Sequence, residues 1–189
     1  YGFFKITEGE SSGLWSVLRL SEDEVLKGSL LITLYENLRW KTISPQGFRD
    51  EMLAYLPNES NSLLFSMALS YLGDCQRIFP SDSRPLEEAL WRIVTTNPVS
   101  QHRLQAFRLY RSIADSEEAV QRLYTLWQER KAPKDCALSE SDYIGLSYIL
   151  AIHLPEKADK IIATQLSRIQ NPDRKKEYQF ISPSVSPRK

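Results

Sequence analysis

The start signals of helices recur along this chain at a nearly fixed interval, and that interval limits the fold more than any other feature. From Ser21 to Ser60 is 39 residues, as it is from Ser44 to Ser83 and from Ser116 to Pro155. From Ser60 to the stretch 97–100 is 37 to 40 residues, and from there to Ser139 is 39 to 42. Ser21-Glu22-Asp23-Glu24 and Ser139-Glu140-Ser141-Asp142 have the shape of capping boxes, a hydroxyl for an orphan backbone N–H and an acid three residues on to return the bond. Asp115-Ser116-Glu117-Glu118 offers Asp115 as a cap with Glu118 behind it. Ser44-Pro45 and Asn97-Pro98 pair a cap with a first-turn proline, and Ser83 precedes Pro85 by two. Ser60 and Asn61 stand before a long apolar stripe, and Pro155 and Pro172 open the last two helices. Pro57, Pro80 and Pro133 fall in turns, where no helix has to continue through them.

Between these signals the apolar residues keep helical spacing. Val25, Leu26, Leu30, Leu34 and Leu38 form one stripe, and Leu63, Leu64, Met67, Tyr71, Cys75 and Ile78 a second. Leu104, Phe107, Tyr110 and Ile113 form a third, and Val120, Leu123, Tyr124 and Trp127 a fourth. Period-two alternation is confined to the first residues, where Tyr1, Phe3, Phe4 and Ile6 read as the tail of a strand. Only 7 glycines occur, against roughly 13 at average usage. The expected fold is all-α, an α-solenoid of antiparallel helix pairs with a period of about 39 residues, close to the HEAT and armadillo range. The pairs read as 21–56, 60–96, 98–130 and 139–170, with a fifth that begins at Asn171 and stops. Solenoids need polar terminal units, so half a repeat at the end reads as a domain truncated at its C-terminus. Residues 1–10 read as the tail of a preceding β-domain or a linker, and 11–189 as a single helical-repeat domain. The stretch 131–138 reads as a turn between pairs. Trp15, Trp40, Trp91 and Trp127 fall at or near helix ends and are expected to pack between repeats.

The net charge is zero, which predicts no nucleic-acid partner and no attraction to anionic membrane. No apolar run is long enough to span a bilayer. The compartment stays open between cytoplasm and periplasm or beyond, because the chain starts without Met. Cys75 and Cys136 are too few for a disulfide framework and read as free, buried thiols.

No catalytic motif is present, and no catalytic or metal-ligating residue is assigned in this chain. His102 and His153 are 51 residues apart, neither within an HExxH arrangement, and zinc needs three or four converging ligands. His102 reads as a helix-surface residue, and His153 as a residue near a helix C-terminus, where a cation is favoured. No phosphate-binding or nucleophile-elbow signature occurs. The acid pairs Asp23-Glu24, Glu87-Glu88 and Glu117-Glu118 fall in first helical turns, where the dipole favours them. Arg174-Lys175-Lys176 is the one small basic run. It reads as an anion contact, for a peptide carboxylate or a phosphate, or as a solvated face, and the second reading is favoured.

The stretch "LSRIQNPDRKKEYQFISPSVS" resembles the C-terminal helical region of the M1 (aminopeptidase N-like, gluzincin) zinc aminopeptidases. So do "KGSLLITLYENLRWKTISPQGFRDEMLAYLPNESNSLLFSMALSYL" and "AFRLYRSIADSEEAVQRLYTLWQERKAP". "YGFFKI" is similar to the strand that hands over from a small β-domain to the helices. The likeness covers most of the chain and is most specific at Asn171-Pro172-Asp173-Arg174. It implies a parent enzyme that removes N-terminal residues from peptides with a zinc site in a separate catalytic domain. This chain, inactive by itself and without cofactor, would be the HEAT-like domain that covers that site and shapes the peptide-access chamber. Its partners would be the parent's catalytic domain and peptide substrates. Arg174 lies in the matching motif, and with Lys175 it is the candidate chamber contact, or else it holds the repeat together. The alternative is a stand-alone α-solenoid scaffold that binds a protein or peptide in its groove.

Overall fold

The computed structural model describes residues 4–185. Ten α-helices follow one another among these residues: α1 Glu8–Leu20, α2 Glu24–Arg39, α3 Pro45–Tyr55, α4 Ser62–Ile78, α5 Arg84–Thr96, α6 Ser100–Ile113, α7 Glu117–Glu129, α8 Glu140–His153, α9 Ala158–Arg168 and α10 Pro172–Ile181. Short 3-10 turns occupy Leu56–Asn58, Pro155–Lys157 and Ser182–Ser184. The chain is all-α, with no strand among the described residues.

Cap chemistry accounts for most helix starts. Ser44 Oγ accepts the Gly47 N–H ahead of Pro45, and Asn61 Oδ1 accepts from Leu63 and Leu64. Asn171 caps α10 in the same way. Ser139 and Asp142 complete a capping box at α8. Four starts differ from the sequence reading. Asp23, not Ser21, caps α2, because Ser21 is still closing α1. Ser116, not Asp115, caps α7: its hydroxyl oxygen accepts the Ala119 N–H, and the Asp115 and Ser116 N–H groups both donate to Glu87. Asn97 binds the Val99 N–H instead of capping α6, which begins at Ser100. Pro155 opens a 3-10 turn, and α9 itself starts three residues later.

The segment read as a strand tail also differs. Tyr1 and Phe3 lie outside the described residues, and 4–7 is irregular. Helix α1 begins at Glu8 behind a Thr7–Glu10 capping box. Gly9, Gly13 and three serines weaken its intrinsic propensity. The helix persists because Trp15 and Leu18 are buried, with Trp15 edge-on to Phe48 of α3.

One continuous core runs from Trp15 to Ile161. Each fully buried leucine there contributes roughly 1.5–3 kcal/mol. Helices α1 and α2, α3 and α4, α5 and α6, α7 and α8, α8 and α9, and α9 and α10 pack as neighbours. By contrast α4 lies little against α5, and α6 little against α7. The pairing frame 60–96 and 98–130 is therefore shifted by one helix. Start signals mark where helices begin, not which of two successive turns is the tight one. The shift does not extend to the last pair: α8 packs closely on α9, as the frame 139–170 predicts, and α10 touches α9 only lightly.

Alternate helices also touch, α2 with α4, α4 with α6 and α6 with α8. Tyr35 stacks on Tyr71 with centroids 4.0 Å apart, and its hydroxyl donates to Asp74 at 2.8 Å. Phe65 stacks on His102 at 4.0 Å. Tyr148 stacks on Tyr178 of α10 at 5.0 Å. Three of the four tryptophans pack between helices: Trp15, Trp91 against Tyr110, and Trp127, whose indole N–H donates to Gln165 at 2.8 Å. Trp40 is 67% exposed. The leading ends of two stripes are also exposed, at Val25 and Leu63.

Candidate functional site

The titratable groups concentrate where helices meet. Glu59 is buried beside the 3-10 turn and accepts from Lys27 Nζ of α2 at 2.8 Å, from the Asn61 N–H at 2.7 Å and from the Tyr55 hydroxyl. Burial by itself raises its pKa, but these donors outweigh burial and the net shift is downward. Burial first, and then the same carboxylate, push the Tyr55 phenol far upward.

Glu87 of α5 repeats the arrangement at the start of α7. It accepts from the Asp115 N–H at 2.8 Å, the Ser116 N–H at 3.1 Å and the Ser116 hydroxyl. Its pKa is lowered despite burial. Asp142 does the same between α6 and α8. Arg108 Nε and Nη2 donate to its two oxygens at 2.9 and 3.2 Å, and Ser139 donates from both its N–H and its hydroxyl. Burial opposes this, yet the carboxyl is held at about 2. Arg111 Nη1 donates to the Asp142 carbonyl at 3.0 Å, and Gly145 leaves the space in which its guanidinium lies.

Ser62 and His102 are brought together by α4 and α6, with Oγ 3.0 Å from Nε2. A hydroxyl beside an imidazole is the beginning of a nucleophile–base pair. The third group is missing, because His102 Nδ1 is buried with no hydrogen-bond partner. The nearby Glu59 is already engaged. His102 has no exposed surface, so no substrate reaches the pair. This corrects the surface reading of His102: its ring is sandwiched in the core against Phe65. Burial lowers its pKa, and the charge of Glu59 opposes that shift.

The other sequence candidates are dispersed. Arg174 Nη1 donates to Glu140 Oε1 at 3.2 Å, and Glu140 Oε2 accepts the Gln170 N–H at 2.8 Å, so Arg174 ties α10 to the start of α8. Lys175 is exposed on α10. Cys75 and Cys136 are free and buried. Burial raises the Cys75 thiol pKa, and the neighbouring Arg49 opposes that rise. His153 ends α8. Among the described residues no group of three His, Cys, Asp or Glu is placed to hold a metal ion. The zinc implied by the resemblance does not fit these residues: His102 Nε2 faces Ser62, and Cys75 lies between Arg49 and the Pro45 carbonyl.

Two open clefts are sizeable. One of about 510 Å³ lies between the start of α6 and the 133–137 turn, and one of about 470 Å³ between α4 and α6. The acids in them, Asp135 and Asp74, are paired with Arg103 and Arg77. No helix among the described residues is long and apolar enough to cross a membrane. No protein-family model, curated protein or solved structure matches this chain.

Proposed function

We propose that the chain is a stacked, HEAT-like helical repeat. In this reading it is the non-catalytic C-terminal domain of an M1-like zinc aminopeptidase, covering the catalytic domain and shaping the chamber through which peptides enter. The observation that carries this reading is where the shifted carboxylates are used. Glu59, Glu87, Asp142 and Glu140 each tie one helix to another. A body whose shifted carboxylates are spent on its own junctions acts through shape and surface. Side-chain contacts between alternate helices, such as Tyr35 to Asp74 and Trp127 to Gln165, span about one sequence period and support the stacked arrangement. The resemblance supplies the parent enzyme and the zinc, which belongs to a catalytic domain outside this sequence. Arg174, in the most specific stretch of the likeness, contacts Glu140, which supports its holding role over a chamber contact.

The test is the coding sequence that precedes Tyr1. An HExxH followed by a downstream glutamate is expected there. A start codon directly before Tyr1 would overturn the aminopeptidase reading and leave the stand-alone scaffold. Biochemically, the isolated chain is expected to show no hydrolysis of leucine p-nitroanilide and no bound zinc by mass spectrometry. Stoichiometric zinc with peptidase activity would contradict the assignment.

A further inference from the structure

We propose that Arg130, Arg168 and Tyr143 form a site for an oxyanion-bearing ligand, a carboxylate or a phosphate, where the end of α7 meets α8 and α9. The proposal does not depend on the aminopeptidase reading.

Each guanidinium lies on an aromatic ring. Arg130 is 4.7 Å from the Tyr143 centroid, and Arg168 is 4.9 Å from that of Trp127. Both rings are buried and fixed in the core. Stacking holds a guanidinium plane while leaving its N–H edge free for bidentate contact with an oxyanion. Arg168 spends two donors on the last carbonyls of α7, Trp127 O at 3.0 Å and Gln128 O at 3.3 Å. Three of its five donors remain. Among the described residues no carboxylate pairs with Arg130 or Arg168. Arg103, Arg108 and Arg174 each have one.

Capping of the α7 carbonyls explains Arg168 but not Arg130. The helix end carries roughly half a negative charge, well short of two guanidiniums. The two cations repel: Arg168 has a lowered pKa, from burial first and then from the charge of Arg130. Arg130 also adopts a left-handed backbone, φ 53°, at the helix end where glycine is the usual residue. Backbone strain and like-charge repulsion are both accepted to place a second guanidinium here. The Tyr143 hydroxyl, near both charges, has no hydrogen-bond partner among the described residues and supplies a further donor. A bound oxyanion accounts for all of these features.

The test is an NMR titration of the full chain at constant ionic strength, following the Trp127 indole N–H and the arginine Nε–H signals. One arm uses inorganic phosphate. The other uses an N-acetyl dipeptide with a free C-terminal carboxylate, beside its C-terminal amide. Saturable shifts in at least one arm are expected. Saturation by phosphate identifies a phosphate ligand, and saturation by the free acid but not the amide identifies a peptide C-terminus. Arg130→Gln is expected to weaken binding about tenfold, whereas Arg84→Gln, in an ion pair with Asp82 elsewhere, leaves it unchanged. If Arg130→Gln melts at a lower temperature than the parent, Arg130→Lys, which keeps the charge and loses the fork, replaces it and is expected to weaken binding too. Linear, unsaturated shifts in both arms, or unchanged affinity in the folded Arg130 variant, would overturn the site.

Discussion

Ile6 donates its backbone N–H to Asn37 Oδ1 at 2.9 Å across 31 residues of chain. Asn37 Nδ2 answers by donating to the Phe4 carbonyl at 2.8 Å and to the Thr33 carbonyl at 2.9 Å. Thr42 Oγ1 donates to the same Oδ1 at 2.7 Å. One fully buried amide thus holds the irregular residues ahead of α1, and its donors and acceptor are all in use.

Asn37→Ala is expected to cost about 2–3 kcal/mol, because it removes four hydrogen bonds and leaves partly buried backbone groups of residues 4 and 6 without their partner. For a chain of this size that lowers Tm by roughly 5–10 °C. Limited proteolysis should then cut first near residues 4–7. An unchanged Tm, or first cleavage elsewhere, would show that the amide does not hold this segment.

Asp142 joins α6 to α8 and closes the α8 capping box. Its folded pKa of about 2 lies below the ordinary carboxyl value of 3.8. The stability it contributes is fully present above the unfolded pKa and is lost as pH falls from about 4 toward 2. Asp142→Asn is expected to cost about 2 kcal/mol at pH 7, at the low end for buried pairs because Arg108 is half exposed. The variant's denaturation free energy should fall less steeply than the parent's over that acid range. Parallel profiles would remove Asp142 as the cause.

Several helix starts were legible from a local signal. Ser44, Asn61, Ser139 and Asn171 cap as their sequence context predicts, since the bond they make reaches only two or three residues. Helix α1 was not, because its glycines and serines argue against a helix and the burial of Trp15 against Phe48 argues for one only after folding. His102 sits between the polar Gln101 and Arg103, so nothing local reveals its stack on Phe65. A signal did exist at longer range. Ser62 and His102 are 40 residues apart, Tyr35 and Asp74 39, and Trp127 and Gln165 38. In a chain with a period of about 39 residues, polar or aromatic residues one period apart are the ones to test as neighbours. The pairing frame had no such signal, because a cap marks a start whichever neighbour the helix then packs on.

His102 is expected to make the chain's stability sensitive to mild acid. Its folded pKa lies below 6.5, through burial first and against the pull of Glu59. Ser62, Phe65 and Glu59 are the groups facing it, and Glu59 is held ionised by Lys27. A depressed histidine pKa means that the unfolded chain takes up the proton first. The stability that the neutral ring supports is therefore fully present above pH 6.5 and is lost as pH falls below it, by up to about 1.4 kcal/mol per pH unit. Guanidinium denaturation between pH 7.5 and 5.5 should show this slope in the parent and a flatter one in His102→Gln. Equal slopes would assign the effect to other groups.

Gly145 and Gly13 separate close helix approach from helix propensity. A Cβ on Gly145 would lie 2.7 Å from Arg111 Nη1 and 2.8 Å from its Cζ. Arg111 cannot swing aside freely, since it is largely buried and donates to the Asp142 carbonyl at 3.0 Å. Gly145→Ala is therefore expected to lose roughly 1–3 kcal/mol by overpacking, even though alanine is the better helix former. Gly13 has nothing within 4 Å of its added Cβ, so Gly13→Ala is expected to gain up to about 1 kcal/mol. If the Gly145 penalty arises from Arg111, Gly145→Ala should cost much less when introduced into Arg111→Ala than into the parent, a coupling that a double-mutant cycle reads from four denaturation curves. Additive costs would place the obstruction elsewhere in the α6–α8 contact.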